Sequence, residues 1–412
     1  MKQFFNEYVA DIDTYIMFKI KEKTELLREE LTKKDRAPIS LSMGAPTIEP
    51  PKFVIQKLKD ALDIGGVHTY SSPKGEKYLL EAIKTRMKNR FNVDIELNEI
   101  CSLLGSKEGI ANLIRGIITP ASNQKDKDII MVPDPSYASY SEMIKASGGE
   151  MYSIPLTAEN NYMPNIEDVF EQLKKEGYSQ DKVKALIVNY PNNPLGATCD
   201  KAYLKSIVDF CIKHEILLIS DAAYVDIFFE SENKPSSVLE IENAKDIAVE
   251  FHSFSKPYAM TGWRIGWICG NYEVVSQFAK LKSTIDSGIF KGIQIAASKI
   301  LNSKEGDDFI VWANNEIKAK SDYFVKAIKE ELNWDLDEIP TATFYHWLKI
   351  PKRYKTSEEF CDDLLRKSGI VMVPGTAFGK YGEGHVRVSI VCSMEKLKEA
   401  VSRMKEDGFL YQ

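Results

Sequence analysis

The sequence has no Cys-x-x-Cys pair, no block of Lys and Arg, no apolar run of membrane-spanning length, no internal repeat and no low-complexity tract. Each absence removes a class of function. Six cysteines (Cys101, Cys199, Cys211, Cys269, Cys361 and Cys392) are scattered without paired spacing, which argues against a zinc centre, so no metal is expected. A formal net charge of -6 with no basic patch argues against nucleic acid or a membrane surface as a partner. The first residues, Met1-Lys2-Gln3-Phe4-Phe5-Asn6-Glu7, turn acidic before any apolar core develops, unlike a secretory signal. Reduced thiols without an export signal predict a cytoplasmic protein.

What is present is an ordinary globular mixture, 44% hydrophobic and 28% charged, in a chain of 412 residues, enough for two or three folding units at roughly 100 to 200 residues each. Between about residues 95 and 270 short apolar runs alternate with helical patterns, the rhythm of a mostly parallel α/β sheet. Predicted strands are 129–132, 185–188, 216–219, 247–249 and 265–268. Residues 300–412 read as a smaller α+β unit, with helices near 305–332 and 357–368 and strands at 344–348 and 386–390. An amphipathic segment, 14–31, has helical period and is expected to pack on that unit. The predicted division is an N-terminal segment 1–45, a large domain 46–295 and a small domain 296–412.

In open α/β sheets ligands bind beyond the carboxyl ends of the strands, so the loops after the predicted strands are the place to look. Ser253-Phe254-Ser255-Lys256-Pro257-Tyr258-Ala259-Met260-Thr261-Gly262-Trp263-Arg264-Ile265-Gly266 sets a Lys beside two hydroxyls with an Arg eight positions on. Hydroxyls, a guanidinium and backbone N–H groups suit a phosphate monoester. A Lys of lowered proton affinity suits an aldehyde that forms a Schiff base. Taken alone, the segment reads equally well as two surface charges on a loop.

That segment resembles the lysine signature of the class I/II aminotransferases, the fold-type-I pyridoxal-phosphate enzymes, and the likeness extends over nearly the whole chain. The subgroup it most resembles comprises the aspartate and LL-diaminopimelate aminotransferases. The resemblance implies a seven-stranded, mostly parallel sheet flanked by helices, a smaller α+β domain and pyridoxal 5'-phosphate as cofactor. Lys256 would then carry the cofactor, with Ser253, Ser255 and Arg264 on its phosphate. The Asp221-Ala222-Ala223-Tyr224 pattern makes Asp221 the partner of the pyridine nitrogen and Tyr224 a donor to the ring oxygen. Asn193, in Asn192-Asn193-Pro194-Leu195-Gly196, would bond the same oxygen; Leu195 stands where the family usually has Thr. Ser106 and Lys107, opening a helix after Gly105, would meet the phosphate through their N–H groups, and Tyr137 would stack on the ring. Arg387 and Gly44 would receive the substrate carboxylate. Tyr70 resembles the tyrosine that family members lend to a neighbour's phosphate, which implies a homodimer with shared sites.

The implied reaction is transamination between an L-amino acid and a 2-oxo acid. Lys107 also falls where relatives using aspartate or diaminopimelate can carry a lysine for a distal carboxylate, which favours acidic donors such as aspartate or glutamate; a solvated lysine fits the position equally. Lys280, Lys282 and Lys291 are other candidates, reaching from a neighbouring subunit. The alternatives are an LL-diaminopimelate-type or an aromatic or neutral amino-acid aminotransferase, and a lyase or decarboxylase on the same fold. More distant is a cofactor-sensing regulatory module, which the absence of a basic helix-turn-helix disfavours.

Overall fold

The structure is a computed structural model that describes residues 4–10, 12–121, 123–230, 234–334, 336 and 339–411. Met1, Lys2 and Gln3, part of the segment read for an export signal, lie outside the described residues. Seven strands form the central sheet: β1 (Ile100–Leu103), β2 (Ile129–Asp134), β3 (Glu150–Pro155), β4 (Val183–Val188), β5 (Leu217–Asp221), β6 (Ala248–Ser253) and β7 (Gly266–Gly270). Their order is β1-β7-β6-β5-β4-β2-β3, and every neighbouring pair is parallel except the two that involve β7.

A sheet covered by helices on both faces must be apolar on both, which is why its central strands read as unbroken hydrophobic runs. Met131, Leu186 and Leu218 belong to one core cluster, and Ile130, Ile187, Ile219 and Val249 to the other. Several helices start at side chains that satisfy their exposed N–H groups. Asp200 accepts from the Tyr203 amide at 2.7 Å, and Ser303 accepts from the Gly306 amide at 3.0 Å.

Beside the sheet lies a third cluster, built around Phe324, Trp334, Phe344, Phe360, Val388 and Leu397. It holds the three-stranded sheet of β8 (Tyr345–Lys349), β9 (Val373–Pro374) and β10 (His385–Ser389), in the order β9-β10-β8 and antiparallel throughout. Helix α1 (Ile16–Lys33) sets Leu27 and Leu31 against Leu365 and Val371. The long helix Lys304–Leu332 spans both regions, with Ile310 in a cluster of the large sheet and Phe324 and Ile328 in that of the small one.

Strand ends differ from the sequence reading where they matter most. Asp221 and Ser253 are the last residues of β5 and β6, not loop residues after them, so both are held by the ladder at the sheet's carboxyl edge. Among the described residues no helix is long and apolar enough to cross a membrane, no cysteines are bridged, and no His, Cys, Asp or Glu cluster could hold a metal ion.

Candidate active site

The carboxyl ends of β4, β5 and β6, the N-terminus of the helix Ser106–Ile117 and the edge of the small sheet enclose a cavity of about 230 Å³. Of the residues the resemblance assigned to the site, Gly44, Ser106, Lys107, Tyr137, Asn193, Asp221, Tyr224, Ser253, Ser255, Lys256, Arg264 and Arg387 all line it. Tyr70 does not; it is 86% exposed and faces outward.

Lys256 lines this cavity, its Nζ donating to the Gly44 carbonyl and lying 5.6 Å from the centre of the Tyr224 ring. Burial, reinforced by the Arg387 charge, holds its amine down at about 8. The neutral amine is the form that adds to a carbonyl, and it prevails above that pH. The rate at which the cofactor-free chain takes up pyridoxal 5'-phosphate should therefore rise through pH about 8 and level off above it, read from the growth of visible absorbance. A rate flat from pH 6 to 10 would contradict the assignment.

Asp221 is buried and its carboxyl lies above the usual range, because burial penalises the charge more than its partners relieve it. Those partners are the Tyr140 hydroxyl, donating at 2.6 Å, and the Ala223 amide at 3.3 Å. A buried carboxylate of this kind is stabilised by a cationic nitrogen, which is what a protonated pyridine ring offers. Beneath it Glu250, also buried, accepts from Ser220 Oγ (3.1 Å), Ser237 Oγ (2.6 Å), the Val238 amide (2.9 Å) and His252 Nε2 (2.8 Å). Burial alone would raise the Glu250 carboxyl; His252 and Ser237 outweigh it and hold it low. The His252 ring stacks on Trp267 at 4.6 Å, so β5, β6 and β7 are tied together one residue below Asp221 and Ser253.

A group of donors suited to an anion lines the cavity at the helix N-terminus. The Arg264 guanidinium is fixed by the carbonyls of Thr261 (2.7 Å) and Leu104 (3.0 Å). A Cβ on Gly105, whose φ is +89°, would stand 2.2 Å from Arg264 Nη2, so the backbone comes this close to the arginine only as glycine. Ser253, Ser255, Ser106 and Lys107 complete a rim of donors at a helix N-terminus, the setting an anion requires.

Arg387, on β10, is 4% exposed. Its Nη1 donates to Asn193 Oδ1 at 2.9 Å and its Nη2 to the Ser42 carbonyl at 2.7 Å, while Nε is buried without a partner among the described residues. Lys107 holds its ammonium 4.8 Å from the Tyr15 ring centre and 5.7 Å from that of Tyr137. The donor set therefore fits a pyridoxal phosphate and an α-carboxylate together.

Of the lysines considered as reaching a neighbour, Lys282 is fully buried in its own chain and meets both Asp286 oxygens at 2.7 Å, which removes it as a candidate. Lys291 bonds the Gly66 carbonyl and Thr69 Oγ1, and Lys280 is exposed. Sequence reasoning missed Tyr15, Tyr140, Asn189, Glu250 and Tyr345. Tyr15 carried one signal, an aromatic residue immediately before an amphipathic helix.

The family model for aminotransferase class I and II matches residues 36–404. An LL-diaminopimelate aminotransferase of Nitratidesulfovibrio vulgaris is 36% identical over 367 residues, 89% of this chain and 90% of its own length. An LL-diaminopimelate aminotransferase 2 of Trichormus variabilis is 37% identical, with 99% of both chains covered. Among solved structures, substrate-bound BacF of Bacillus subtilis superposes with a TM-score of 0.91 at 31% identity, covering 100% of this chain and 99% of that one. Aspartate aminotransferase of Thermus thermophilus with maleate gives 0.87 at 25% identity, covering 99% and 100%.

Proposed function

Since the chain belongs to the class I and II aminotransferases, and is therefore a pyridoxal 5'-phosphate-dependent transferase, we propose that it moves the amino group of an LL-diaminopimelate-type donor to a 2-oxo acid such as 2-oxoglutarate. The observation that carries this reading is a second cation in the cavity: Lys107 lines it together with Arg387, so a donor with a carboxylate at each end meets a positive group at both. The relatives' names favour diaminopimelate over the shorter aspartate and glutamate, which the sequence reading had put first.

Bound in this cavity, pyridoxal 5'-phosphate supplies an aldehyde that takes up amino groups and a ring that draws electrons from the substrate Cα. The chain supplies position and protons. Arg387 binds the α-carboxylate through its planar fork, its plane set by Asn193 and Ser42. Lys256 takes the proton from Cα and returns it on the cofactor side, a positioned transfer that contributes ~10²- to 10⁴-fold. Asp221, held by Tyr140, keeps the ring nitrogen protonated. Tyr224 and Asn193 would hold the ring oxygen, Tyr137 would pack against the ring, and Ser253, Ser255, Arg264 and the amides of Ser106 and Lys107 would grip the phosphate. Gly44 offers its backbone beside the carboxylate. The outward-facing Tyr70 supports a homodimer, in which it reaches the neighbouring subunit's phosphate.

Replacing Lys107 by Ala should raise KM for LL-diaminopimelate by about 10- to 100-fold, the range of a charge-assisted hydrogen bond, and leave KM for alanine within about twofold. A donor panel of LL-diaminopimelate, aspartate, glutamate, phenylalanine and alanine against 2-oxoglutarate reads this directly. An equal loss for every donor would contradict the role given to Lys107. Release of pyruvate or ammonia without formation of glutamate would overturn the reading as a transaminase.

A further inference from the structure

Tyr345, the first residue of β8, is 1% exposed and touches three groups of the site at once. Its hydroxyl lies 2.9 Å from that of Tyr224. The Arg387 guanidinium carbon stands 4.5 Å over its ring centre, with the Phe378 ring 4.7 Å from the same carbon. A Cβ built on Gly44 would come within 3.0 Å of its hydroxyl, so the backbone that accepts from Lys256 fits closely against it. Its own amide donates to Thr343 Oγ1 at 3.1 Å, which fixes the start of the strand. Tyr224 follows β5 of the large sheet and Arg387 lies on β10 of the small sheet, and the Tyr345 side chain contacts both.

We propose that Tyr345 is a positioning residue with two separable parts: its hydroxyl aims the Tyr224 phenol at the cofactor's ring oxygen, and its ring sets the plane of Arg387 for the substrate carboxylate. This rests on the roles given above to Tyr224 and Arg387. A phenol that accepts a hydrogen bond from a second phenol has its own proton directed away from that neighbour and becomes a stronger donor. Within the pair only one proton lies between the oxygens, so with Tyr345 as donor the Tyr224 proton is left to face the cavity. An arginine face resting on an aromatic ring is stabilised by the ring's negative face and loses its freedom to rotate, so both lobes of its fork stay coplanar with an incoming carboxylate.

The test uses holoenzymes of Tyr345→Phe, Tyr345→Leu, Tyr224→Phe and the double variant Tyr224→Phe with Tyr345→Phe. Each is measured twice, for the pH midpoint of the bound cofactor's visible absorbance and for kcat and KM with the amino donor. Tyr345→Phe keeps the ring and removes the hydroxyl. Its midpoint should rise by about half a pH unit to one unit, as expected for one hydrogen bond to an ionised ring oxygen, with KM unchanged within about twofold. Tyr224→Phe should raise the midpoint further, and adding Tyr345→Phe to it should add nothing. Tyr345→Leu should shift the midpoint similarly and raise KM by about tenfold. If Tyr345→Phe titrates as the unaltered enzyme while Tyr224→Phe shifts, the inference falls and the reading of Tyr224 stands. If neither shifts, the role of Tyr224 falls and takes the inference with it. If Tyr345→Phe raises KM as much as Tyr345→Leu, the two parts are not separable and the proposal is overturned.

Discussion

Replacing Lys256 by Ala lowers transamination on the order of 10⁴-fold or more, the largest effect expected of any single substitution in this chain. Two functions end together. On the proposed assignment the amine that attaches the cofactor is lost, and so is the group that moves the Cα proton; the other lysine lining the cavity, Lys107, is exposed rather than buried. The change should leave the fold intact, because a buried amine held down at about 8 is itself a burden on stability at neutral pH. The sign follows from the direction of the shift. An unfolded lysine binds a proton at pH values where the folded one does not, so the unsubstituted, cofactor-free chain gains stability as pH rises from about 8 toward the ordinary lysine range, and below that window carries the full penalty. Denaturant midpoints of the cofactor-free proteins should show Lys256→Ala at least as stable as the unsubstituted chain at pH 7. A large loss of stability would mean that the lysine is structural.

Asp221→Asn is expected to give the second largest effect, about 10²- to 10⁴-fold in kcat, the equivalent of the roughly 3 to 5 kcal/mol by which removing one member of a buried charged pair is felt. Asparagine keeps the size, its Oδ1 can still accept from the Ala223 amide and its Nδ2 can donate to the Tyr140 oxygen, so the strand end and the cavity retain their shape. What is lost is the negative charge proposed to keep the ring nitrogen protonated. Binding of the cofactor phosphate, proposed to rest on Arg264 and the serines, should change much less than turnover. Measured kcat and cofactor affinity should therefore separate, and a variant that loses both equally would point to collapse of the site instead.

Much of this was legible in the sequence, for a physical reason that differs between fold and site. The strands β2, β4 and β5 are buried along most of both faces, and their apolar runs announce them. β1 is four residues long and includes a Cys and a Ser, and β3, at the sheet's edge, buries only Ile154 of its six residues, so neither leaves such a run. Site residues that travel together in the chain, from Ser253 to Arg264, from Asp221 to Tyr224 and around Asn193, carry their chemistry in local spacing. Those that act through contacts distant in sequence do not. Tyr140 meets Asp221 across 81 positions and Tyr345 meets Tyr224 across 121, and a single tyrosine in a strand or helix has no pattern that reports such a partner. The strand predicted at 247–249 stops before Glu250 and His252, the polar residues within β6; only the fold reveals that each satisfies the other. The choice of donor was the least legible, because a lysine at position 107 would serve any distal carboxylate and pocket details decide between them.

The central claim is that one amine, on Lys256, carries the cofactor. Treating the pyridoxal 5'-phosphate-loaded protein with borohydride and mapping its peptides by mass tests this most directly. A single reduced pyridoxyl-phosphate adduct on the peptide containing Lys256, abolished by Lys256→Ala, is the predicted result. An adduct on another lysine, or none at all in a protein that still transaminates, would contradict it.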